Sequence, residues 1–181
     1  HKNLLNKLRQ SKYIFRQCKY LDSFSKYKLY MSYVHSHIIY GISLWGPMST
    51  DTQKRTLNNM LQSIIKQSNM LEKDICKIMD IHQLIQYYMV IYAYKLTNKL
   101  LPKNTAVGFQ YHTDGHSHNT RKNKNIKIPL IKSNLYYKSV FRKSLKLWNN
   151  LDDTTQLSPS LNSFKFKLKK FFLENKTVIR Q

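Results

Sequence analysis

From residue 22 onward the apolar positions recur at helical spacing. Tyr27, Met31, Val34, Ile38, Ile42 and Trp45 fall three and four apart behind Asp22, a residue suited to capping a helix start, and predict one continuous apolar face. Gly46 and Pro47 are expected to stop that helix. The stretch "TDTQ", residues 50 to 53, then reads as a capping box from Thr50 to Gln53, opening a second helix that buries Leu57, Met60, Leu61, Ile64 and Ile65. A short helical turn around Asp74 to Met79 leads to a third long helix with Ile81, Leu84, Ile85, Tyr88, Ile91, Tyr92 and Leu96 inward, ended by Pro102. Residues 103–133 lose this period, and Ile126, Ile128 and Leu130 alternate with Lys127 and Pro129 as an extended or edge strand would. Helical spacing returns at Tyr137, Val140, Phe141, Ser144, Trp148 and Leu151. A last helix is expected with Ser158 as cap, Pro159 at its first position and Leu161, Phe164, Leu168, Phe171 and Phe172 on its apolar side. The expected fold is mainly α, with a break near residues 70–80 or 103–133. Trp45 and Trp148 each end an apolar stripe and are expected to be core anchors.

Composition changes the picture in one respect. An apolar content of 41% can build a core, but 31 Lys and Arg stand against 9 Asp and Glu, a formal charge of +22. Self-repulsion of that size favours a polyanionic partner that displaces counterions, with nucleic acid first and an acidic membrane second. Residues 1–90 carry 13 cations and 5 anions and residues 91–181 carry 18 and 4, so the second half is the expected polyanion face. Cys18 and Cys76 are too few and too distant for a disulfide framework or zinc knuckle, which fits a reducing compartment, nuclear or cytoplasmic. No apolar run is long enough to span a bilayer, and residues 1–20 are basic and polar without a signal-peptide core. The chain starts at His1 rather than Met, and we expect it to be part of a longer polypeptide.

Six segments occur in a telling order: "IIYGISLWG" (38–46), "LNNMLQSIIK" (57–66), "YKLTNKLLP" (94–102), "HSHNTR" (116–121), "LWNNL" (147–151) and "SFKFKLKKFFL" (163–173). Together they resemble the region that follows the catalytic palm in reverse transcriptases of jockey-like non-LTR retrotransposons. Residues 142–149 lack the Gly-Pro that the family often carries before its Trp-Asn, and Asp152 stands where proline is usual. The resemblance implies a thumb-like helical bundle over residues 1–70 and a second small, basic helical domain over 71–181, which holds the irregular or extended segment 103–133. It also implies that template RNA, RNA–DNA hybrid or DNA is the partner, and that a magnesium-binding polymerase palm lies upstream in the same polypeptide. The residues agree independently. Nucleotidyl transfer needs carboxylates holding two metal ions about 3.5–4 Å apart, and no Tyr-x-Asp-Asp element is present. The only adjacent acids, Asp152 and Asp153, follow a predicted helix and read as solvated turn residues. No cofactor is expected in this chain, and no catalytic residue.

Three basic clusters are candidates for nucleic-acid contact. In "HSHNTRKNKNIKIP" (116–129), Arg121, Lys122, Lys124 and Lys127 alternate with neutral hydrogen-bonding side chains, a set that satisfies phosphate oxygens without reading bases. The bland alternative is a solvated loop. Arg121 is the strongest member, because a guanidinium can bind phosphate through two parallel bonds. The second cluster is Lys138, Arg142 and Lys146, spaced by four on a helix expected from about 136 to 150. The third is Lys12, Tyr13, Arg16, Lys19 and Tyr20, where rings could stack on unpaired bases and cations follow the strand, or the tyrosines could simply be core. His112, His116 and His118 lie within seven residues, but without a nearby cysteine they are not read as a zinc site. His35 and His37 are expected to flank an apolar stripe. A different class of function stays open: a helical module whose last helix, with Lys165, Lys167, Lys169 and Lys170 around Phe164, Phe171 and Phe172, docks on a membrane or a protein.

Overall fold

The computed structural model describes residues 2–102, 110–111 and 125–174. The fold is mainly α. The chain gathers into two compact units, one comprising His1–Ile85 and Phe171–Gln181 and the other Gln86–Lys170.

In the first unit, α1 (Lys2–Gln17) packs along α5 (Asp51–Ser68). The sequence pattern had not marked α1 as a helix. It buries Leu8, Ser11 and Phe15, three and four apart, and Ser11 tolerates burial because its hydroxyl donates to the Lys7 carbonyl at 2.9 Å. α5 buries Leu57, Leu61, Ile64, Ile65 and Ser68. Its start is the expected capping box: Gln53 N donates to Thr50 Oγ1 at 3.3 Å, and Thr50 N donates to Gln53 Oε1 at 3.0 Å. α5 ends at Asn69 in the left-handed conformation (φ 51°), while the two units part between Ile85 and Gln86 rather than near residue 70.

Asp22 caps α2 (Ser23–Leu29) as expected, accepting from the amides of Phe24 and Ser25. The continuous helix expected behind it is instead divided. A π-helical segment (Tyr30–His35) and α3 (Ser36–Ile39) follow, and then the chain turns through Gly41 before α4 (Ile42–Met48). The buried apolar side chains from Tyr30 to Ile42 are Tyr30, Val34, Ile38 and Ile42, one every fourth position. In a helix of about 3.6 residues per turn such a stripe drifts around the axis, and the wider π turn takes up that drift. Gly41 stands at φ 62°, which costs a residue without Cβ little. Gly46 and Pro47 do not stop the helix but lie inside α4. Gly46 is there for closeness: a Cβ on it would stand 2.7 Å from Ile85 Cγ1.

The helical turn expected at 74–79 lies slightly earlier, as α6 (Glu72–Ile75). Ser23 ties it to the start of α2, donating to Asp74 Oδ2 at 2.6 Å and accepting from Leu71 N at 2.8 Å. α7 (Ile81–Thr97) and α11 (Leu161–Glu174) contribute residues to both units. α7 is apolar nearly all round: beyond the expected stripe it buries Tyr87, Met89, Val90, Ala93 and Tyr94, while Tyr88 and Tyr92 are only half-buried. It ends ahead of Pro102, through left-handed Lys99 (φ 54°) and a bond from Leu100 N to the Lys95 carbonyl at 2.8 Å.

The core of the second unit is aromatic. Tyr94 stacks on Phe164 with centroids 4.2 Å apart, and Trp148 lies 5.9 Å from Phe164 and 6.3 Å from Tyr94. The buried Tyr94 hydroxyl donates to the Ser158 carbonyl at 3.0 Å. The extended segment is short: β2 (Ile126–Lys127) pairs antiparallel with β1 (Gln110–Tyr111), Ile126 is buried, and Leu130 faces solvent. The helix expected from 136 to 150 is two helices, α8 (Asn134–Lys138) and α9 (Val140–Asn149), because extended Ser139 caps the second one. After α10 (Asp153–Gln156), α11 is capped by Ser160 rather than Ser158; Ser163 N donates to Ser160 Oγ at 3.2 Å. Ser158 is buried, its hydroxyl donating to the Thr155 carbonyl at 2.7 Å.

Candidate nucleic-acid interface

The basic face is clearest on α1. A helix returns to the same side after seven residues, so Lys2, Arg9 and Arg16 form one line, about a third of a turn from the buried Leu8, Ser11 and Phe15. All three cations are exposed. Tyr13 falls on the same side and is 62% exposed, and Tyr20, just past the helix, is fully exposed. Core burial is thus excluded for both tyrosines. Lys12 is half-buried at the edge of this face, and Lys19 is exposed beyond the helix end. No carboxylate occurs before Asp22, so nothing on this helix neutralises its cations. Arg9 is oriented through Nη1, which donates to Asn6 Oδ1 at 3.1 Å. Sequence reasoning found Lys12, Tyr13, Arg16, Lys19 and Tyr20 and missed Lys2 and Arg9, which join them only once α1 is a helix.

The cluster Lys138, Arg142 and Lys146 is not the single-helix stripe that its spacing predicted. Lys138 is the last residue of α8, while Arg142 and Lys146 lie one turn apart on α9. The Arg142 guanidinium stacks over the Tyr137 ring at 4.3 Å, which holds it half-buried. Lys138 and Lys146 are exposed.

Of the segment 116–129, Arg121, Lys122 and Lys124 lie outside the described residues, as do His112, His116 and His118. Lys127 is described and exposed on β2. Its neighbour Ile126 is held by Asn149, whose side-chain amide bonds both its N–H and its carbonyl at 3.0 Å.

Asp152 turns out to serve the backbone. Asp152 caps α10, accepting from Thr155 N at 3.0 Å, from the Thr155 hydroxyl at 3.1 Å and from the Thr154 hydroxyl. The bond from Thr154 is the main cause of a carboxyl pKa below the ordinary aspartate value. Asp153 sits in the first turn of the same helix. Among the described residues, no three of His, Cys, Asp and Glu gather as a metal site would need. No helix among them is long and apolar enough to cross a membrane.

The two tryptophans part company. Trp148 is 5% exposed and is a core residue, as expected. Trp45 is only half-buried and lines an open groove of about 710 Å³, which corrects its reading as a core anchor. Among known proteins, no family, no curated protein and no solved structure matches this chain.

Proposed function

We propose that this chain binds nucleic acid through backbone phosphates, as the thumb and C-terminal portion of a retrotransposon-type RNA-directed DNA polymerase whose palm lies elsewhere in the polypeptide. The observation that carries the binding half is the α1 face: Lys2, Arg9 and Arg16 in line with exposed Tyr13, in a stretch without a carboxylate. Two guanidiniums suit phosphate oxygens, and each phosphate neutralised releases counterions. The polymerase half rests on the six ordered segments that resemble the family. Binding would be to the backbone of template RNA, RNA–DNA hybrid or DNA, without base readout, and the chain alone would add no nucleotide to a primer.

The test is binding of the full chain to RNA–DNA hybrids of two unrelated sequences across a range of salt. Similar affinities and a steep loss with salt support the reading; no binding at low salt, or binding to one sequence only, contradicts it. Nucleotide addition by a clean preparation, with magnesium or manganese, would refute the non-catalytic assignment.

A second reading keeps one observation in its favour. Phe166 on α11 is 73% exposed beside exposed Lys167, as on a helix that meets a membrane or protein. Lys167, however, donates to the Thr154 carbonyl at 3.1 Å, and Lys165 and Lys169 are half-buried. Anionic vesicles binding in place of nucleic acid would favour it.

A further inference from the structure

The groove beside α1 has no assigned occupant. It is open, with a volume of about 710 Å³, inside the range of small-ligand sites. Its lining includes three rings and a thioether, from His37, Tyr40, Trp45 and Met48, among polar side chains and one leucine. The left-handed turn at Gly41 brings Tyr40 and Trp45 together, and Trp45 Nε1 donates to the Tyr40 carbonyl at 3.0 Å. That bond uses the indole's one donor and fixes the ring, so a ligand in the groove would meet the apolar ring and not its N–H. His37 is steadied by an edge contact with Tyr33, at 5.6 Å between centroids. Tyr40 itself is 86% exposed, a large ring in solvent with no packing role.

Charge decides the class of occupant. Lys7 brings an ammonium group to the lining, and no carboxylate joins it. Gln53 also reaches the groove; its oxygen is taken by the Thr50 amide, so its NH2 remains to donate. A peptide without acidic residues or a neutral lipid would use the rings but give Lys7 no counterion. A nucleotide uses both, since its base presents a flat π-face and hydrogen-bonding edges, and its phosphate is an anion.

We infer that this groove takes an unstacked base of single-stranded nucleic acid, stacked between Tyr40 and Trp45, with the adjacent phosphate on Lys7. The inference rests on the nucleic-acid reading above and adds to it a preference for single strands. Aromatic stacking of this kind tolerates any base. A duplex, whose bases are already stacked and paired, has no base to offer.

The experiment compares binding of a short oligouridylate and of an RNA–DNA hybrid to the full chain at one salt concentration. Tyr40→Ala keeps the carbonyl that Trp45 needs, so the fold should hold, and a melting curve checks this. The expected result is an affinity for oligouridylate about tenfold weaker, with hybrid binding unchanged. Lys7→Gln should lower the salt slope for the single strand by about 0.7. Oligouridylate should also quench the emission of Trp45, and Trp45→Phe should abolish the quench while buried Trp148 keeps its own signal. Equal single-strand binding by parent and Tyr40→Ala, or an equal loss for both nucleic acids, overturns the groove and leaves the proposed function standing. A parent that binds neither nucleic acid overturns both. Emission that responds to anionic vesicles and not to RNA overturns it in favour of a lipid surface.

Discussion

Asn149 holds Ile126 as a neighbouring strand would: its Oδ1 accepts from Ile126 N and its Nδ2 donates to Ile126 O, each at 3.0 Å. One side chain at the end of α9 thereby satisfies both backbone groups of a fully buried residue in β2. Replacing it with Ala leaves those groups unpaired in the core, at about 1–3 kcal/mol for each. Urea unfolding of Asn149→Ala should show that loss at an unchanged slope. A loss under half a kcal/mol, of the size surface changes give, would mean water replaces the amide.

Trp148 and Trp45 should separate by stability. Trp148 packs against Tyr94 and Phe164, and Trp148→Ala should cost roughly 3–5 kcal/mol. Half-buried Trp45 borders the open groove, so Trp45→Ala should lower the melting temperature by well under half as much. Equal losses would return Trp45 to the core.

Gly46→Ala should destabilise the protein although it improves helix propensity. The propensity gain is about 1 kcal/mol. Against it stands a Cβ placed 2.7 and 3.0 Å from the branched Ile85 side chain, an overpacking that costs roughly 1–3 kcal/mol. A raised melting temperature would show that Ile85 moves aside freely; because the atoms met are Cγ1 and Cγ2, Gly46→Ala combined with Ile85→Ala should cost less than the sum of the two single changes.

Asp74 sets an acid limit. The hydrogen bond from Ser23, and next that from Lys77, hold its carboxyl pKa below the ordinary 3.8. A carboxyl whose folded pKa is depressed contributes stability that is fully present above the unfolded value and lost as pH falls through the folded one. The parent should therefore lose stability relative to Asp74→Asn below about pH 4, where the unfolded aspartate starts to take up protons. Thermal melts of both proteins from neutral to strongly acid pH measure this. Parallel curves would remove Asp74 from the acid response.

What the sequence revealed was local. The capping box of α5 was legible because Thr50 and Gln53 meet within one turn, and Asp22 was legible as a cap for the same reason. α1 was not, since one of its buried positions is Ser11, a polar residue that breaks the apolar count while its hydroxyl is satisfied by Lys7. The division of residues 23–48 was hidden because spacing by three and four does not report a left-handed glycine or a π turn. The cations of the candidate interface were visible as charge, but which of them share a face depends on helix boundaries. Missing α1 hid Lys2 and Arg9, and overlooking Ser139 as a cap joined Lys138 to Arg142 and Lys146.

The central claim is that the α1 face meets a phosphate backbone. Its most direct test is a salt titration of hybrid binding by the parent and by the triple variant Lys2→Gln, Arg9→Gln, Arg16→Gln. These side chains are exposed, so each change should alter folding stability by no more than about 0.5 kcal/mol. If each cation neutralises one phosphate, the log–log salt slope of the variant should be shallower by about 2–3, and equally so for unrelated sequences. Identical slopes for parent and variant would contradict the account.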